Sequence, residues 1–346
     1  MSENQIAQSI EPRFLAILEC PRDHSELELR GGRLCCAGGH EYPIVNGIPV
    51  FLLAEAEPTI GIAKASLQAA QTGTGAPLYL DTIGVSDELR RKIARDWKAD
   101  NAIDSVIAHL IGATSGRGYA GLVGNLKRYP IPDIPIADGN GERLLDIGAS
   151  WGRWSVSAAR KNWQVIALDP SLGALMAAQR AFAAAQPNIG YVCGDARYLP
   201  FKPGIFRAAF SYSVLQHFAE ADAERAIAEI GRTLRSGKFA RIQMAAAGGL
   251  RSRYIVSRPD YVSSGRFKVR YWRIRDLQAM FDKHIGPAQV VAEAYGGLGL
   301  LPEDWTVVSL RAKALIAISA ALKKLSRILP TLVDLADSVY VTAIKR

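Results

Sequence analysis

The run LLDIGASWGRW, residues 144–154, carries the densest chemistry in this 346-residue chain. An apolar strand ends at Asp146, turns through Gly148 and Gly152, and enters a helix at about Arg153. Small residues, with Ala149 and Ser150 between the glycines, let the backbone approach a ligand closely, and the helix start offers N–H groups. The following segments narrow the ligand. VIALDP places Asp169 at the end of a second strand, about twenty residues on, where a carboxylate can accept both hydroxyls of a ribose. YVCGDARYLPF places Asp195 and then Ala196 at the end of a third strand. FRAAFSYS is a fourth strand with Ser211 at its tip, followed by SVLQHF. The spacing Gly148-x-x-x-Gly152 departs from the G-x-G-x-x-G of dinucleotide oxidoreductases.

A second chemical pattern lies near the N-terminus. Three of the four cysteines, Cys20, Cys35 and Cys36, fall within the first forty residues, and Cys193 stands apart. Cys20-x-x-x-His24 and Cys36-x-x-x-His40 repeat one spacing, and together supply the four nitrogen and sulfur ligands of a closed tetrahedral zinc site. Asp23 is an alternative to His24, and Cys35 to Cys36. Such a metal would supply folding energy to a segment too small for its own core.

Candidate proton acceptors are His217 and Tyr212, with His109 and His284 behind them. His217 follows the fourth strand, at the rim where α/β sheets bind ligands. The net charge is +9 but uneven. Residues 1–55 carry eight acids against four bases, while residues 250–285 carry nine bases against three acids. The stretch from Arg251 to Arg275 interleaves arginines with Tyr254, Tyr261, Phe267, Tyr271 and Trp272, which fits an anionic acceptor.

Strands and helices alternate from residue 143 to 245, which requires a mainly parallel sheet with helices on both faces. Before it, residues 87–100 and the stretch NAIDSVIAHLIGAT read as helices, and RYPIPDIPIADGNGE as an extended, proline-ruled approach. After residue 250 come a helix in RIRDLQAMFDKH, a strand in AQVVAEAYG, a lysine-rich amphipathic helix near 310–329 and a last strand in SVYVTAIKR. That late helix fits packing against the core first, and otherwise a lid, a homodimer face or a membrane-surface helix. The domain reading is 1–55, a metal-holding ribbon; 56–140, a helical linker; and 141–346, the α/β domain with insertions at 250–275 and 297–334. Hydrophobic content of 49% and charged content of 22% are those of a globular chain. No long apolar span and no leader pattern stand out, so the expected location is cytoplasmic, with peripheral contact to the inner membrane face as a variant.

The ordered motifs resemble the class I S-adenosylmethionine-dependent methyltransferase superfamily, of the type 11-like subgroup whose pattern runs LLDxGCGxGRW. The resemblance covers residues 143–245. It implies a Rossmann-like seven-stranded sheet with S-adenosyl-L-methionine bound by Asp146, Gly148, Ala149, Ser150 and Gly152 at the methionine end. Asp169 would hold the ribose, and Asp195 with Ala196 the adenine. Ser211 would face the methyl group. Ala149-Ser150 stands where that family has Cys-Gly, so Ser150 must fit a glycine position. LECPRDHSEL and LCCAGGHEYPIVNGIPVFL resemble the zinc ribbon of small methyltransferase-activator proteins, which is also fused ahead of some RNA methyltransferases.

The resemblance implies methyl transfer to an O or N atom of a small-molecule, glycan or lipid-linked acceptor. An RNA acceptor is the runner-up, weakened by the acidic ribbon. A catalytically silent, partner-activating protein is the third reading, opposed by the intact Asp169 and Asp195.

Overall fold

The computed structural model describes residues 10–73, 103–115, 119, 126–259, 261, 268–296 and 310–346. The helix expected over 87–100, Arg266 and Phe267 of the basic insertion, and 297–309 lie outside the described residues.

After a short helix α1 (Pro12–Leu15), the N-terminal strands β1 (Leu27–Arg30), β2 (Arg33–Cys36), β3 (Glu41–Val45) and β4 (Ile48–Pro49) form an antiparallel meander. The main sheet holds β5 (Arg143–Ile147), β6 (Gln164–Asp169), β7 (Ile189–Cys193), β8 (Phe206–Tyr212), β9 (Leu234–Ala245), β10 (Ala288–Ala294) and β11 (Ser338–Ile344), in the order β10-β11-β9-β8-β5-β6-β7. Only β11 runs against its neighbours. Seven strands, mainly parallel, match the architecture expected from the alternating pattern. The central strands are near-continuous apolar runs because helices cover both faces.

One face carries α3 (Ser105–Thr114), α4 (Arg153–Ala159) and α5 (Leu172–Phe182); the other carries α6 (Glu220–Thr233) and α8 (Ile274–His284). Two described helices of the linker segment pack over the first face. In α2 (Ile62–Thr72), the buried Ser66 hydroxyl accepts the Leu172 N–H at 3.1 Å. Asp104 caps α3 by accepting the Val106 and Ile107 N–H groups, and pairs with Arg180 at 2.7 Å.

The N-terminal meander is not a self-contained unit. Leu18, Leu34 and Phe51 belong to the same buried cluster as Ile147, Leu168, Val192 and Phe201. Phe51 N–H donates to the Cys193 carbonyl at 2.7 Å, and Val50 bridges Cys193 in parallel register, so the segment after β4 extends the main sheet past β7. Glu19 and Lys202 exchange further backbone bonds across the junction, with Pro200 and Ile17 as acceptors. The buried Glu19 carboxylate also pairs with Arg232 of α6 at 2.5 Å. A sheet edge that would otherwise template foreign pairing is thus covered by the chain's own N-terminal segment.

Two late helices complete the chain. The described part of the basic insertion includes α7 (Leu250–Val256), which buries only Ser252. Helix α9 (Leu310–Leu325) buries none of its sixteen residues, so it does not close a face against the core as its apolar content leads one to expect.

Phe51 is fully buried at the junction. Phe51→Ala is expected to cost about 3–5 kcal/mol in denaturant unfolding monitored on the whole chain. A loss near zero would show that the meander folds apart from the sheet.

Candidate functional site

The turn after β5 is built around a buried carboxylate. Asp169, at the tip of β6, accepts the Ser150 N–H on one oxygen and the Ser171 N–H on the other, both at 2.8 Å. Gly148 and Ala149 donate to the Leu168 carbonyl at 2.8 and 3.0 Å, so the turn is sewn to β6 at three backbone groups. Gly148 has φ +74°, and a Cβ there would lie 2.1 Å from a Val214 methyl carbon. Gly152, at φ +84°, starts α4. Ser150 also sits in the left-handed region at φ +50°, which explains why glycine is usual at this position.

Beside this turn lies a cavity of about 410 Å³, within the range of small-molecule sites. Gly148, Ala149, Ser150, Asp169, Asp195 and Ala196 line one part of it. Trp154, Tyr212, Gln216, His217, Phe218 and Val269 line another, and Thr59, Ile60, Gly112 and Thr114 arrive from the linker segment. The structure therefore brings together most residues expected at the cofactor, but not all. Asp146 is buried outside the lining and accepts the Ser155 hydroxyl at 2.6 Å. Gly152 is also outside it, and the buried Ser211 hydroxyl donates to the Ile147 carbonyl at 2.9 Å instead of facing the cavity. His109 and His284 do not line it; His284 pairs with Glu224 at 2.8 Å on the far side of the sheet.

Three features escaped the sequence reading. Arg197 holds Asp195 through Nη2 to Oδ2 at 2.7 Å, while its Nη1 reaches Asp222 at 2.9 Å and Nη2 also reaches the Glu57 carbonyl at 2.7 Å. A buried guanidinium so shared fixes the Asp195 carboxylate in place. Arg153 is the one Lys or Arg among the lining residues; it lies over the Trp154 and Tyr212 rings at 4.9 and 5.4 Å and donates to the Ser115 carbonyl. Its position directly after Gly152 was the available signal. By contrast, Arg251, Arg253 and Arg258 of the basic insertion do not line the cavity. The linker residues Thr59, Ile60, Gly112 and Thr114 carried no spacing that could announce them.

Electrostatics separates the two candidate bases. Burial raises the Tyr212 hydroxyl far above the usual phenol range, so Tyr212 acts as an O–H donor and not as a phenolate. Burial pushes His217 down to about 4, which leaves a neutral imidazole near pH 7. The buried carboxyls move the other way: desolvation raises Asp169 to about 6 and Asp146 to about 7.

At the N-terminal segment, Cys20 Sγ, Asp23 Oδ2, Cys36 Sγ and His40 Nδ1 lie within 4.8 Å of one another. His40 Nδ1 is 3.4 Å from Cys20 Sγ, 3.3 Å from Cys36 Sγ and 3.2 Å from Asp23 Oδ2. Those separations, in two thiols, one imidazole and one carboxylate, fit the donor set of a tetrahedral zinc ion. His24 is turned to Glu19 at 2.7 Å, and Cys35 is outside the group, so of the alternatives at these positions the structure gathers Asp23 and Cys36.

Residues 144–237 match a protein family described as a methyltransferase domain. A stretch of 99 residues, 28% of the chain, is 36% identical to a demethylmenaquinone methyltransferase of Thermobifida fusca, covering 41% of that protein. A stretch of 97 residues is 35% identical to a protein of the same name from Renibacterium salmoninarum, covering 38% of it. The similarity thus spans about two fifths of the curated relatives' length. Among solved structures, phosphoethanolamine N-methyltransferase 2 of Haemonchus contortus, in complex with S-adenosyl-L-methionine, is 21% identical, covering 62% of this chain and 50% of that one, with a TM-score of 0.43.

Two outcomes are expected. Ser150→Gly removes a left-handed Cβ and stabilises the protein by up to about 1 kcal/mol; destabilisation in thermal unfolding would show that the Ser150 side chain is needed. The raised Asp146 pKa means the folded state binds a proton that the unfolded chain releases near pH 4. Its contribution is complete at low pH and lost as pH rises through about 7, so Asp146→Asn should flatten the fall in melting temperature across that window.

Proposed function

We propose that this chain transfers a methyl group from S-adenosyl-L-methionine to an O or N atom of a small, largely apolar acceptor held in the 410 Å³ cavity. The observation that carries the reading is a single cavity with two kinds of wall. Gly148, Ser150, Asp169, Asp195 and Ala196 offer backbone and carboxylate partners for a nucleoside; Trp154, Tyr212, His217, Phe218 and Val269 offer an aromatic and aliphatic bed. The family match over 144–237 takes in the nucleoside partners. The names of the two bacterial relatives specify a small-molecule acceptor for those proteins, which agrees with the reading.

When bound, the cofactor supplies a methyl group activated by a sulfonium. The residues of this chain then have five tasks. Asp169 accepts ribose hydroxyls, and the Asp195–Arg197 pair presents a fixed carboxylate to the adenine amino group. Arg153, the lone cation among the lining residues, takes a carboxylate or other anionic group. The aromatic wall aligns the acceptor and excludes water, the main protein contribution to such a displacement. Neutral His217 accepts a hydrogen bond from the acceptor's O–H or N–H and orients it, and because burial keeps the imidazole a weak base the proton passes on to solvent as the new bond forms.

The test is incubation with methyl-labelled cofactor, comparing a small-molecule extract with total RNA as acceptor. Label is expected in the extract, abolished by Asp169→Ala and reduced about tenfold or more by His217→Ala. Label in RNA alone, or none in either pool, contradicts the reading.

We propose further that Cys20, Asp23, Cys36 and His40 hold a zinc ion that secures the N-terminal meander. Elemental analysis is expected to find zinc equimolar with the protein, lost in Asp23→Ala and kept in His24→Ala. The reverse pattern would return His24 to the ligand set.

A further inference from the structure

We propose that α9 is a membrane-surface helix that seats this protein on an anionic lipid bilayer. The inference is independent of the methyl-transfer reading, since no described residue of α9 lines the cavity. Leu310, Ala314, Ile318, Ala321, Leu325 and Ile328 fall four, eight, eleven, fifteen and eighteen positions apart, which is one stripe of a helix continued into its terminal turn. Every one of them is exposed, Leu310 at 82%, Ile318 at 56% and Ile328 at 77%. The opposite side is the one tied to the protein, where Ile316 and Leu322 are half-buried beside two serines. Ser319 Oγ accepts the Tyr295 N–H at 3.0 Å, and Ser326 is buried. A helix in water keeps its large apolar residues turned inward, whereas here Leu310, Leu315, Ile318, Leu325 and Ile328 stay exposed.

The charge selects the occupant. Arg311, Lys313, Lys323, Lys324 and Arg327 accompany the stripe, and no acidic residue occurs between positions 310 and 333. A second copy of this chain would bring two such cationic faces together, which like-charge repulsion opposes. An anionic headgroup layer over an acyl boundary satisfies both the bases and the stripe. At sixteen residues the helix is about 24 Å long, and no described helix is long and apolar enough to cross a membrane, so it lies in the interface plane.

A second exposed apolar and basic element lies on α7. The Asp337 carboxylate accepts the Ser252 N–H and hydroxyl at 2.8 and 2.9 Å and the Gly296 N–H at 2.6 Å. This joins α7 to the end of β10. Helix α7 exposes Leu250 at 78% and Tyr254 at 67%, with Arg251 and Arg253 between and beside them. An amphipathic ring flanked by bases is a headgroup-level anchor.

The experiment is flotation of the full chain with vesicles of phosphatidylcholine alone and of an equal mixture with phosphatidylglycerol, at low salt. At least about tenfold more protein is expected on the anionic vesicles. Ile318→Ser with Leu325→Ser, and separately Lys324→Glu with Arg327→Glu, should each reduce that binding to the phosphatidylcholine level. All four side chains are exposed, so melting temperatures should not change. Equal partition of the wild type between the two vesicles overturns the proposal, as does undiminished binding by both variants. A wild-type dimer in light scattering that the Ile318/Leu325 variant dissolves, without vesicle binding, would assign the face to a second copy instead.

Discussion

The geometry of the site rests on one carboxylate. Asp169 is desolvated, and its two oxygens are each claimed by a backbone N–H from a different segment: Ser150 from the turn after β5 and Ser171 from the start of α5. Those bonds offset part of the desolvation cost that lifts its pKa to about 6. The bond to Ser150 is made with that residue in the left-handed region, and it holds the turn against β6. Each oxygen keeps a further lone pair, so the group that shapes the turn can still receive donors from a ligand. In the proposed reading, structure and binding are thus the same interaction seen from two sides.

Around this centre the chain closes the sheet with its own ends. The N-terminal meander extends the sheet beyond β7, and β10 and β11 complete the other side. The linker helices α2 and α3 are pinned onto α5 by Ser66 and Asp104, and residues beside or within them reach the cavity. The aromatic side of the cavity, where we propose the acceptor lies, is therefore assembled from segments far apart in sequence, while the proposed nucleoside side is drawn from residues 148–196.

That division explains what could be read without coordinates. The strand–turn–helix run around Gly148, Asp169 and Asp195 was legible because each residue sits at a strand tip, where pattern fixes position. Ser150 was rightly marked as standing in a glycine position. Ser211 was not placed correctly: strand alternation decides which way it points, and its hydroxyl found the Ile147 carbonyl. Spacing alone could not choose between Asp23 and His24, because the choice depends on how the turn after Cys20 folds back on β2. The basic insertion drew attention by composition, yet the cation at the cavity is Arg153, a single residue inside the glycine motif. The N-terminal meander's union with the main core rests on long-range burial, which no local pattern encodes.

The most direct test of the account is calorimetric titration of S-adenosyl-L-methionine into the wild type and Gly148→Ala, with circular dichroism to confirm that both are folded. A Cβ at position 148 would adopt an unfavourable φ and strike Val214, displacing the turn that Asp169 holds. Saturable one-to-one binding by the wild type, lost in the folded variant, is the expected result. Absence of binding by the wild type, or equal binding by Gly148→Ala, would contradict it.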